Sequence, residues 1–179
     1  MGCGYIRESQ NREQTGTSFP GICATKAQKR VQAEVEVFFD TGVLLAASER
    51  CHPHYGQARP ALLRVVSGAD KGFISAHSIA ELYAALTRLP VQPRIQPVEA
   101  MQIVNENVLP HFESVSIKRK DYIEAVQAVA SGGLSGAMIH DALLLGCAAK
   151  CDADRIYTFN LVDLRTLAPE HLRDKICSP

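Results

Sequence analysis

A chain of 179 residues and 19.5 kDa, with 46% hydrophobic residues, can bury one sizeable core and is short for two full domains. Lys and Arg number 19 and so do Asp and Glu, which excludes a histone-like protein that meets a polyanion through its overall charge. The longest apolar tract, 137–149, is interrupted by His140 and Asp141 and falls short of the roughly 20 residues that span a bilayer, so no membrane partner is expected.

Residues 1–34 are polar, rich in Gly and Gln and without periodicity, and read as a flexible tail ahead of one domain at 35–179. Part of the tail is expected to be an overextended start, with translation beginning near Val31 or Val35. Gly2-Cys3 invites lipidation, but Ile6 stands where the myristoylation pattern wants Ser or Thr. The six cysteines are read as reduced thiols of a cytoplasmic protein, because a core of this size needs no staples.

The domain opens on a branched and aromatic run, VEVFF at 35–39, that reads as a buried strand. It drives straight into a carboxylate, Asp40, and resumes as a short apolar helix at 43–48. A loop, CHPHYGQAR, leads to a helix within the segment 60–69, with Pro60 in its first position, Leu62, Leu63 and Val66 on one face, and Gly68 ending it. A strand at 72–76 precedes a helix at 78–89 whose Ile79, Leu82, Tyr83 and Leu86 form an i, i+3, i+4, i+7 stripe. Pro90, Pro93 and Pro97 force a loop before a helix at 97–107. There follow a strand at 112–117, a helix at 119–130 carrying Ile123, Val126 and Val129, a Gly-rich entry, an apolar helix at 137–150 and a strand at 155–159. Strands alternating with helices imply an α/β fold, a mostly parallel central sheet flanked by helices.

In such a sheet the carboxyl edge of the strands is where ligands bind, and four acids are expected there. Asp40 ends the first strand. Glu81 lies about 200° around its helix from Ile79, off the apolar face; a capping box from Ser78 to Glu81 also accounts for it. Asp141 stands in an apolar helix with no Lys or Arg one turn away, an expensive placement unless a cation or hydrogen bond meets it; compensation of the helix dipole is the structural alternative. Asp163 and Asn160 follow the last strand, where either is also an ordinary turn or cap former. Asp152 and Asp154 precede that strand and are read as solvent-facing at the opposite edge. Acids converging on one edge cannot all ionise without a cation. Oxygen ligands select Mg²⁺ or Mn²⁺, and a carboxylate cluster holding such ions is the usual equipment for phosphodiester hydrolysis.

These stretches, VFFDTGVLL, ISAHSIAELYAALTR, GGLSGAMIHDALLLGCAA and IYTFNLVDL, resemble in order and spacing the PIN-domain ribonucleases, and among them the VapC-type toxins of bacterial toxin–antitoxin pairs. The resemblance covers about residues 35–168 and implies a PIN-like α/β/α fold. It places the family's acidic positions, catalytic and metal-holding, on Asp40, Glu81, Asp141 and Asp163, with Thr41 and Asn160 as supporting neighbours. It further implies RNA endonuclease activity dependent on Mg²⁺ or Mn²⁺, a homodimer, and inhibition by a small antitoxin protein. Gly42 departs from the family's usual Asn or Ser, which removes a possible supporting hydrogen bond and none of the carboxylates.

Rival readings are a catalytically weak PIN-like binding or regulatory module, a housekeeping RNA-processing nuclease, and a phosphoaspartyl transferase. The last lacks its D-x-D, since Gly42 stands two after Asp40. A zinc site in CHPH lacks a second ligand pair at recognisable spacing. RNA contacts, if present, fall to Arg88 with Arg94 and to Lys118-Arg119-Lys120.

Overall fold

The computed structural model describes residues 34–179; the tail, Gly2-Cys3 and the reading of an overextended start lie outside the described residues. Five strands, β1 Val35–Phe39, β2 Asp70–Ser75, β3 Phe112–Val115, β4 Arg155–Tyr157 and β5 Ile176–Cys177, form one sheet in the order β3-β2-β1-β4-β5, and every pairing is parallel. The chain winds outward from β1 to β2 and β3, then returns to β1's other side for β4 and β5. The strand order therefore reverses beside β1, and the crevice at the carboxyl ends of β1 and β4 is the topological switch point.

The uninterrupted apolar run of β1 follows from burial on both faces. Val37 and Phe39 enter a core with α1 Thr41–Ser48, α2 Tyr55–Val66, α3 Ala76–Arg88 and α4 Pro97–Asn107. Phe38 points the other way, into a core with α6 Met138–Ala148, α7 Leu161–Leu167 and α8 Glu170–Arg173. Helix α5 Arg119–Ser131 packs beside α6. Three layers, α/β/α, result. Phe39 is gripped edge-to-face by Phe112 (5.1 Å) and Tyr157 (5.3 Å) from the strands beyond it, so the residue after it starts from a rigid base.

Several elements depart from the sequence expectation. Helix α2 begins at Tyr55, so YGQAR is helical and Pro60 is interior. Its buried stripe is Ala58, Ala61, Leu62 and Val65, while Leu63 and Val66 face outward; both Gly56, whose carbonyl loses its partner at Pro60, and Pro60 itself are exposed to water. Tyr83 is 38% exposed rather than part of the α3 stripe. On α5 only Val129 of the expected stripe is buried, with Ile123 and Val126 exposed. Helices α7 and α8 and strand β5 are additional. Cys147, Cys151 and Cys177 are free thiols, whereas Cys51 is disulfide-bonded, which corrects the reading of all six as reduced. No helix among the described residues is long and apolar enough to cross a membrane.

Candidate active site

The strand-to-helix junctions deliver the acids. Asp40 leaves β1 in extended conformation and caps α1, accepting from the Gly42 N–H at 3.3 Å. Its backbone N–H donates to the Tyr157 carbonyl at 3.0 Å, which carries the β1–β4 ladder one residue past β1. Its other carboxylate oxygen accepts from the Thr158 hydroxyl at 2.8 Å. Thr158 is fully buried, and its hydroxyl oxygen also accepts the Asn160 N–H at 3.0 Å, so one side chain joins the turn after β4 to the acid after β1.

Glu81 is not half of a capping box. Ser75, at the end of β2, caps α3 by accepting from the His77 N–H, and Ser78 is buried inside the helix. Freed of that role, Glu81 accepts from the Thr41 hydroxyl at 2.8 Å, one residue beyond Asp40. Two histidines approach its opposite oxygen: His77, one turn back on α3, at 3.5 Å, and His140 of α6 at 3.4 Å.

Asp141 lies in the first turn of α6, just after the bend made by Gly133 and Gly136 at positive φ. Its pKa is pushed up to about 6, first by burial, then by the negative charges of Asp40 and Asp163, with Glu81 adding to them and His140 opposing. Those influences put Asp40, Glu81 and Asp163 within electrostatic reach of Asp141. Asp40 is also raised, by burial, with the Thr158 and Gly42 hydrogen bonds opposing and Glu81 adding to the rise. Asp163 is exposed in the first turn of α7; Asn160 is the residue before that helix, and its side chain makes no cap bond. Asp152 and Asp154 are exposed at the far edge, as expected, where Asp154 accepts from the Glu36 N–H.

The donor types suit a hard divalent cation, carboxylate oxygens from four separate elements with two of them anchored by hydroxyl donors, while among the described residues the group whose ligand atoms lie within 4.8 Å of one another is His77, Glu81 and His140. Residues that sequence reasoning missed are Thr158, His77 and His140's partnership with Glu81. A Thr at a strand's end carries little local signal, since its value here comes from the neighbouring strand. The consequence is measurable. Thr158→Val keeps the shape but removes a donor to Asp40 and an acceptor from Asn160. It is expected to cost about 1–2 kcal/mol of stability and to move the Asp40 carboxyl titration to higher pH by NMR; an unmoved titration contradicts the assigned role.

A search of curated protein sequences finds no match. Among solved structures, VapC20 of Mycobacterium tuberculosis, a toxin that cleaves the sarcin–ricin loop, aligns with a TM-score of 0.58 and 15% identity over 75% of this chain and 97% of that one. VapBC2 of Rickettsia felis, solved with a DNA fragment from its promoter, aligns with a TM-score of 0.48 and 19% identity over 70% of this chain and 88% of that one. The PIN domain profile matches residues 37–165, from β1 through the whole set of acids to α7. The chain is therefore a member of the PIN domain family.

Proposed function

We propose that the chain is a Mg²⁺- or Mn²⁺-dependent RNA endonuclease, the toxin of a toxin–antitoxin pair, acting in the cytoplasm as a homodimer and restrained by a small antitoxin protein. What supports this reading is that Asp40, Glu81 and Asp163, far apart in sequence, all act electrostatically on Asp141 beside the switch point of a PIN-domain sheet. A divalent ion held by these carboxylates supplies charge stabilisation to the phosphoryl oxygens and lowers the pKa of a water. The protein contributes position. Thr158 and the Gly42 amide fix both oxygens of Asp40, and Thr41 fixes one oxygen of Glu81, so the ligands are oriented before the substrate arrives. Because Asp141 has to be ionised to serve as a ligand, activity at limiting Mg²⁺ should fall as pH drops through its raised pKa of about 6, and a pH–rate profile flat through that range contradicts the role.

The test is incubation of the purified chain with a structured RNA in Mg²⁺, beside Asp40→Asn. Internal cuts by the wild type alone support the reading; intact RNA, or equal cutting by both, overturns it. A reading frame immediately upstream whose DNA-binding product co-purifies with the chain and stops cleavage is expected of the toxin; a nuclease that no such product restrains is a housekeeping enzyme.

Substrate binding carries its own prediction. Arg88, at the end of α3 and about 10 Å along that helix from Glu81, Arg94 in the following loop, and Lys118 before α5 are all exposed. In a chain of net charge zero, local cations of this kind must meet the phosphates. Replacement of each by Ala is expected to weaken RNA binding and to flatten the slope of log affinity against log salt by about 0.7 per lost contact. Slopes unchanged in all three variants place the RNA elsewhere.

A further inference from the structure

The histidines beside Glu81 are not accounted for by a hard-cation site, which recruits oxygen. His77 and Glu81 share one face of α3 at i, i+4 spacing, and α6 brings His140 to the same carboxylate oxygen. The two imidazole rings lie nearly parallel, centroids 5.7 Å apart and planes within 9°. The three ligand atoms are within 4.8 Å of one another. The two contacts to Glu81, 3.5 Å from His77 Nε2 and 3.4 Å from His140 Nδ1, are longer than the about 2.7–2.9 Å of a charge-assisted hydrogen bond. They match another length: two ligands each about 2.0–2.1 Å from a tetrahedral ion stand roughly 3.3–3.4 Å apart.

We propose that His77 Nε2, Glu81 Oε1 and His140 Nδ1 form a site for a Zn²⁺-class transition metal, with a fourth position open to solvent. The carboxylate is prepared for this, since Thr41 holds its Oε2 and leaves Oε1 to the histidines, the orienting arrangement typical of metal-bound carboxylates. Both rings are about half exposed, at 47% and 53%, so an ion from solution can reach them and neither ring is locked by a buried environment. Two imidazoles and one carboxylate with an open position is a donor set that zinc accepts and magnesium does not favour. Glu81 belongs also to the carboxylate set of the proposed nuclease, so an ion here sits against that set and draws on one of its ligands.

The experiment titrates the full chain with Zn²⁺ in competition with a chromophoric chelator, without RNA, and repeats it on His77→Ala, His140→Ala, Glu81→Gln and the pair His52→Ala/His54→Ala. One zinc per chain is expected at this site, with the dissociation constant raised at least tenfold in each of the first three variants and unchanged in the last. Substitution with Co²⁺ should give d–d bands of a nitrogen and oxygen set without a thiolate charge-transfer band. Metal-free melting temperatures near wild type show that the exposed histidine variants are folded. Zinc binding retained in the double variant His77→Ala/His140→Ala, a thiolate band for the bound ion, or no zinc binding at all overturns the site. Because binding is read without RNA, a chain that binds zinc here but cuts nothing refutes only the nuclease, and a nuclease indifferent to these histidines in zinc binding refutes only the zinc site.

Discussion

Asp141→Asn is expected to lower RNA cleavage at least roughly a hundredfold, as for loss of a positioned electrostatic group, and to leave the metal-free chain as stable as wild type or more so at pH 7.5. The sign comes from linkage. The folded-state pKa of Asp141 is about 6, raised first by burial and then by Asp40 and Asp163; an unfolded Asp titrates near 3.9. An acid whose pKa is raised by folding costs nothing below its unfolded value, and the cost grows as pH climbs from about 4 to about 6 and then levels. With the screening appropriate to a partly exposed group, that cost is on the order of 1–2 kcal/mol. The amide escapes it, losing only the favourable charge at the start of α6, about 0.3–1 kcal/mol. The variant's advantage should therefore be present at pH 7.5 and vanish at pH 4. Saturating Mg²⁺ should reverse the order, because the wild type gains more binding free energy. A variant that is less stable with and without metal and keeps its activity identifies Asp141 as a structural helix residue instead.

How much of this was legible in the sequence depends on the range of the interaction. The run 35–39 and the proline-started helix 97–107 emerge in the structure with the bounds expected, because burial on both faces and a Pro at the first helical position are local signals. The stripe of α2 was misphased because Leu62 and Leu63 are adjacent and periodicity cannot choose between them; Ala58 and Ala61, too small to weigh in the pattern, decide it. Strand β5 is two residues long and exists through its pairing with β4. At the site, the position of each acid after a strand was readable, and so was the crevice. What tied them together was not: Thr158 reaches Asp40 across 118 positions and His140 reaches Glu81 from another helix, contacts that tertiary packing alone creates. The Ser78 capping box was a sound local reading that lost to Ser75, one strand end earlier, because the helix starts as soon as β2 stops.

Removal of the divalent cation is the second large effect expected, and it addresses the central claim. Burial first, and then the charges of neighbouring acids, raise Asp141 and Asp40, and these carboxylates supply no cationic group to a phosphoryl oxygen in place of an ion. Among the described residues the side chains that approach the Glu81 carboxylate are Thr41, His77 and His140, with no Lys or Arg ion pair to it. The ion should also stabilise the fold, by about 2.7 kcal/mol at a hundred times its dissociation constant. The decisive measurement is cleavage of one labelled RNA by the purified chain in Mg²⁺, in excess EDTA, and in EDTA overcome by Mg²⁺ or Mn²⁺. The account predicts cutting in the first, background in the second and restored cutting in the third; an equal rate in EDTA contradicts it.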